Sequence, residues 1–153
     1  MNLSTSKSEI GISRQKVLAL DLGSRRIGVA LSNTDRTIAF PRPMLERSGE
    51  LELDHISIQR FARDEGVDTV VVGLPLSLDG SYGPAAYNVL SEANLLEARL
   101  RHDGIEVVLV DERFTTVSAN NALRESAKRK DARRRAVDSA AATVLLEAWI
   151  SKK

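Results

Sequence analysis

No cysteine occurs among the 153 residues, which excludes disulfides and thiolate-held zinc alike. A thiol-free chain suits a reducing compartment, and a cytoplasmic location is expected. No stretch approaches the ~18 consecutive apolar residues of a membrane helix, so no membrane partner is expected. Residues 1–16 (MNLSTSKSEIGISRQK) hold no apolar run fit for a secretory signal and read as a disordered leader. The remaining length has room for one core, placing a single domain over residues 17–150. Only two histidines occur, His55 and His102, neither with a partner at ligand spacing; both read as exposed surface residues. There is no internal repeat.

Charge of one sign is also lacking overall, since the chain carries a net +1. Its distribution is uneven. Residues 124–135 (RESAKRKDARRR) hold seven Arg/Lys against Glu125 and Asp131, a local net of +5. Basic charge gathered in one place is what a phosphate backbone selects. Lys128, Arg129, Lys130, Arg133, Arg134 and Arg135 are therefore candidate nucleic-acid contacts, with a solvated helix flank as the plainer reading.

What is present alternates between strands and helices. Val17–Leu22 (VLALDL) is a short apolar run, as in a strand buried on both faces. A turn at Gly23–Arg26 leads to Ile27–Ser32 (IGVALS), so the two strands form an antiparallel hairpin. A third strand is expected at Thr37–Phe40, ended by Pro41 and Pro43. Leu51–Glu65 reads as an amphipathic helix with Ile58, Phe61 and Ala62 inward, closed by Gly66. Asp68–Gly73 (DTVVVG) is a buried strand, and Leu74–Gly83 (LPLSLDGSYG) a loop. Pro84 opens a helix to Arg101 with Ala85, Val89, Ala93, Leu96 and Leu100 on one side. Glu106–Val110 (EVVLV) is the last strand. Helices are expected at Thr115–Ser126 and Arg134–Ile150, the latter with Val137, Ala141, Val144 and Ala148 as its stripe, joined by a charged connector. Strands alternating with helices imply right-handed parallel crossovers, hence a three-layer α/β domain with a hairpin-led mixed sheet.

Three acidic positions stand where such a fold could gather them, two of them at the carboxyl ends of strands, outside which open α/β sheets bind ligands. Asp21 ends the first strand. Asp111 and Glu112 follow the last one directly and project to opposite faces if the strand continues, so one of the two is expected to join Asp21. Asp138 falls on the flank of the last helix, in line with Ala142, Leu145 and Trp149. Clustered carboxylates repel unless a cation compensates, and oxygen-only ligands favour Mg²⁺ or Mn²⁺. Two such ions can activate water and stabilise a leaving oxygen at a phosphodiester. Structural alternatives exist for each: a turn cap for Asp21, an ion pair with Arg113 for Asp111 or Glu112, and a helix-dipole partner for Asp138.

The ordered blocks ALDLGSRRIGVALS, VVGLPLSLDGSYG, VDERFTT and VDSAAATVLLEAW closely resemble the YqgF/RuvX family of bacterial proteins, from about Val17 to Ile150. That resemblance implies a ribonuclease H-like fold, a mixed five-stranded sheet with helices on both faces. It also implies a metal-dependent nuclease; members have been described as processing the 5′ end of pre-16S ribosomal RNA and as Holliday junction resolvases. By resemblance Asp21 is the first catalytic aspartate, Asp111 or Glu112 supplies the second acid, and Asp138 the last-helix acid. Asp79 falls on the family's loop aspartate, an extra ligand or an organiser of the loop. Arg25, Arg26 and Arg113 lie beside these acids, where guanidinium forks suit phosphate oxygens. Thr115 and Thr116 read as a helix N-cap.

Two other classes compete with the nuclease. DLGS also matches the phosphate loop of actin-like and sugar-kinase ATPases, but those clamp nucleotide between two such domains and this chain supplies one. The other is a non-catalytic nucleic-acid-binding module, against which the retained acids argue. Structured RNA and branched DNA are both open as substrates, and a homodimer would suit a symmetric junction.

Overall fold

A computed structural model describes residues 15–115 and 139–152, the side chains at 114 and 115 excepted. The elements follow in the order β1 (Lys16–Leu22), β2 (Arg26–Ser32), β3 (Ala39–Glu46), α1 (Leu51–Glu65), β4 (Val67–Leu74), α2 (Pro84–Leu100), β5 (Glu106–Asp111) and α3 (Ala140–Ser151). Short 3-10 turns occupy Arg101–Asp103 and Glu112–Thr115. One five-stranded sheet has the order β3-β2-β1-β4-β5, with β1–β2 and β2–β3 antiparallel and β1–β4 and β4–β5 parallel. This is the expected mixed sheet led by a hairpin.

Alternation along β1 divides the core in two. Leu18 and Leu20 point to the face covered by α1 and α2, joining Val70, Val72, Ile58, Val89 and Leu96. Val17 and Ala19 point the other way, joining Val71 and the α3 residues Ala142, Leu145 and Leu146. Small residues on that second face let α3, apolar along most of its length, lie close to the central strands. Asp21 continues the Val17–Ala19 row, so its carboxylate lies on the α3 face.

Several boundaries and faces differ from expectation. β1 includes Lys16, which pairs with Val67, one residue before the strand start expected at Val17. β3 runs through both prolines to Glu46 instead of stopping at Phe40. Pro41 and Pro43 are two residues apart, so their nitrogens face the same side, and an edge strand has one side with no ladder to disrupt. On α2 the buried residue of the first turn is Ala86, with Ala85 exposed. On α3, Ala141 is exposed and the core stripe is Ala142, Leu145 and Leu146 with Val144. The line through Ala142, Leu145 and Trp149 thus belongs to the packed face itself. α1 matches its expected span, ending where Gly66 adopts φ 71. Residues 116–138, and with them the expected helix to Ser126 and the basic connector, lie outside the described residues.

Candidate active site

Asp21 pairs with Gly28 of β2 and lies one residue beyond Leu20–Val72, the last pair of β1 with β4. The residue beside it on β4 is therefore Gly73, which pairs with Val110 of β5. Asp21, Gly73, Val110 and, beyond the strand end, Glu112 share the α3 face. A Cβ built on Gly73 would lie 2.6 Å from Oε1 of Glu112 and 3.0 Å from its Cγ. The missing side chain at Gly73 is thus the space through which Glu112 leans across β4 toward Asp21.

The electrostatics agree with that geometry. Burial raises the Asp21 carboxyl above its ordinary range. Glu112 is raised as well, first by burial and then by the negative charges of Asp21 and Asp111. Two partly desolvated carboxylates, the charge of one opposing the ionisation of the other, form a site that a hard cation would relieve. Among the described residues, no group of three or more acidic or histidine side chains is arranged to hold a metal ion. Asp138 lies outside them. Its neighbour Ser139 is buried, and its Oγ donates to the Arg42 carbonyl at 2.6 Å and accepts the Val29 N–H at 3.3 Å. That fastens the start of α3 one residue from Gly28, the partner of Asp21.

Asp111 lies differently. It projects to the opposite face, and Arg113 folds back on it, with Nε 2.9 Å and Nη2 2.6 Å from Oδ2 and the Arg113 N–H 2.9 Å from Oδ1. These bonds hold the Asp111 carboxyl below its usual range. The same guanidinium donates through Nη1 to the Leu78 carbonyl at 3.2 Å. Arg113 therefore ties the 75–83 loop to the end of β5, and its charge is already matched by Asp111. Within that loop Asp79 accepts the Ser81 N–H at 2.9 Å and its hydroxyl at 2.7 Å, a local turn that lowers its pKa. Asp79 is exposed, and its bonds organise the loop.

The β1–β2 turn places Arg25 and Arg26 in solvent beside Asp21, with Arg26 3.4 Å from Glu46. Gly23 is required there, because a Cβ would sit 2.5 Å from the Arg26 carbonyl oxygen. Beneath the turn lies a buried cluster that no sequence motif announces. Arg47 donates its N–H to the Arg25 carbonyl at 2.9 Å and its Nε to the Gly23 carbonyl at 3.0 Å. Its guanidinium grips Glu92 of α2 at 2.7 and 2.9 Å and lies 3.7 Å from Asp54 of α1. His55, expected on the surface, is instead 3% exposed, with Nε2 2.9 Å from Glu92. Burial would raise Glu92, but bonds from His55 and Arg47 outweigh it and bring its pKa down to about 2. His102 is exposed as expected. The alternation of α1 signals an inward position at 55, but the partner lies 37 residues away and no local pattern names it.

The RuvX family, described as Holliday junction resolvase, matches residues 15–152. The chain belongs to the RuvX family. A relative from Maridesulfovibrio salexigens named "Putative pre-16S rRNA nuclease" is 34% identical, covering 90% of this chain and 98% of its own. One of the same name from Leifsonia xyli is 40% identical over 85% of this chain and 81% of its own. Among solved structures, Thermus thermophilus RuvC in complex with a Holliday junction substrate superposes with TM-score 0.55 at 13% identity, covering 90% of this RuvX chain and 95% of that one. The yeast mitochondrial Holliday junction resolvase Ydc2 gives TM-score 0.53 at 10% identity, covering 99% and 87%. At such identities the likeness is one of fold, and the fold is ribonuclease H-like. Among the described residues no helix is long and apolar enough to cross a membrane.

Proposed function

We propose that this RuvX chain is a metal-dependent nuclease whose central ligands are Asp21 and Glu112. The observation that carries the reading is the approach of Glu112 across Gly73 toward Asp21, with each carboxyl raised by burial and Glu112 further by Asp21. Of the two adjacent acids, Glu112 is the one that shares a face with Asp21, while Asp111 is spent on Arg113. Asp138 is the third ligand in this reading, supported by the anchoring of Ser139 beside the same row of residues. The donor set fits Mg²⁺ or Mn²⁺: oxygen ligands, no thiol, no histidine at the site. When bound, one or two such ions supply Lewis acidity at a phosphodiester and a nucleophilic water. Asp21 is positioned by its pairing with Gly28 of β2; Glu112 is set by the Gly73 gap. Arg25 sits at the rim of the same sheet edge, able to hold a flanking phosphate. The basic stretch at Lys128, Arg129, Lys130, Arg133, Arg134 and Arg135 is proposed to add sequence-independent backbone affinity.

The substrate proposed is precursor 16S ribosomal RNA, supported by the name shared by the curated relatives, with the cut at its 5′ region taken from the family resemblance alone. A second reading, resolution of four-way DNA junctions, is favoured by the family's own description. Cleavage mapping on both substrates in Mg²⁺ or Mn²⁺ tests the choice. Cuts near the RNA 5′ end support the first; paired symmetric cuts in the junction support the second.

A further inference from the structure

Tyr82 and Tyr87 expose 41% and 59% of their surface, with ring centroids 5.3 Å apart and planes tilted by 44°. They stand where the 75–83 loop runs into α2, on the outward side of the helix. The inward side there belongs to Ala86 and Val89. Leu78, at the tip of the same loop, is 92% exposed. An exposed aromatic pair with an exposed aliphatic tip would ordinarily mark a floppy segment. This loop is braced: Ser77 N–H meets the Ser81 carbonyl at 3.0 Å, Gly80 N–H the Ser77 carbonyl at 2.8 Å, and Arg113 holds the Leu78 carbonyl. The brace is referenced to the candidate site, because Arg113 adjoins Glu112 and is fixed on Asp111 at the end of β5.

We infer that Tyr82 and Tyr87 form a stacking platform for an unpaired nucleobase of the strand being cut. The inference rests on the nuclease reading and adds the form of its substrate. The carboxylates and the tyrosines border the same carboxyl edge of the sheet, the former toward α3 and the latter toward α2. A strand crossing that edge sets its phosphates at Asp21, Glu112 and Arg25, and its bases toward the rings. Ser81 and Asn88 beside them are exposed and polar, so the surface offers flat aromatic faces with hydrogen-bonding edges. That chemistry matches a base, which has a π-face and polar edges, better than it matches an apolar peptide side chain. Bases in a duplex are already stacked, so the platform selects unpaired nucleotides.

The test compares binding and cleavage of an RNA hairpin with a single-stranded 5′ extension and of a fully paired duplex of the same sequence. Proteins are the full-length wild type, the Tyr82→Ala/Tyr87→Ala double variant and the Tyr82→Phe/Tyr87→Phe pair. The alanine variant is expected to bind the extended RNA about tenfold or more weakly, raising KM with little change in kcat. Its duplex binding and melting temperature should match the wild type, and the phenylalanine pair should restore affinity. Equal binding by the alanine variant would overturn the platform and leave the rings to a protein contact or to none. Equal loss on hairpin and duplex would also overturn it. If the wild type cuts and the variants are unaffected, only the platform fails; if the wild type neither binds nor cuts RNA, the nuclease reading on RNA fails with it.

Discussion

Asp21 and Glu112 are destabilising to the fold in their ionised form. Their folded-state pKa values are raised, so the native protein holds those protons more tightly than the unfolded chain does. Their penalty is absent in acid and grows as pH rises through the carboxylate range. Asp21→Asn should therefore raise the melting temperature at pH 7 while abolishing cleavage, the usual opposition between a charged site and stability. A thermal melt with and without Mn²⁺ checks both halves. The wild type should gain stability from the ion, and the variant should gain less. Glu92 behaves oppositely. Its pKa falls from the ordinary 4.5 to about 2, so the stability it contributes is complete above pH about 4.5 and is lost as pH falls toward 2. Glu92→Ala leaves the part-buried Arg47 without its fork, with Asp54 at 3.7 Å as a remaining carboxylate, and should cost about 2 kcal/mol at neutral pH, read by urea denaturation. It should also flatten the acid limb of the stability profile. Gly73 carries the sharpest steric statement. With a Cβ 2.6 Å from Glu112 Oε1, Gly73→Ala must push the carboxylate aside. Cleavage should fall about a hundredfold, while far-UV circular dichroism stays unchanged.

Among the strands and helices, what is legible in the sequence depends on how locally each element is specified. α1 is readable to the residue because its period, its acidic first turn and Gly66 all lie within it. β4 is readable as a continuous apolar run. β3 reads too short because proline normally ends a strand, and only its place at the sheet edge makes Pro41 and Pro43 tolerable. The α3 stripe reads wrongly because nearly every residue there is apolar, so periodicity chooses weakly among faces; contact with Val17, Ala19 and Val71 decides it. The site is half legible. Asp21 stands out at a strand end, but choosing between Asp111 and Glu112 requires the pleat and the Gly73 gap, which are properties of three strands at once. Arg113, expected at the phosphates, bonds Asp111 and the Leu78 carbonyl and so braces the 75–83 loop, which no local pattern announces. Arg113→Ala should loosen that loop, seen as faster amide exchange over 77–81, where Ser77 and Gly80 now donate to loop carbonyls.

Across the whole molecule, the sheet separates the larger apolar core from the candidate carboxylates. The α1–α2 face carries the larger apolar cluster and the Arg47–Glu92–His55 network, which grips the turn following Asp21 from below. The α3 face carries the smaller cluster and the carboxylates. Neutralising Arg133, Arg134 and Arg135 together should weaken RNA binding broadly and reduce the slope of log affinity against log salt, because backbone contacts release counterions. An unchanged slope would make that segment a solvated surface. The proposed nuclease depends on Asp21 and Glu112 working as one metal-binding pair. The most direct measurement is single-turnover cleavage of a 5′-extended precursor 16S RNA fragment, in Mn²⁺, by the wild type, Asp21→Asn, Glu112→Gln and Asp111→Asn, with RNA binding measured alongside. Asp21→Asn and Glu112→Gln should bind RNA and fail to cut it, whereas Asp111→Asn should retain substantial cleavage. Robust cleavage by Glu112→Gln with loss in Asp111→Asn would break the pairing of Asp21 with Glu112 and assign the second acid to Asp111.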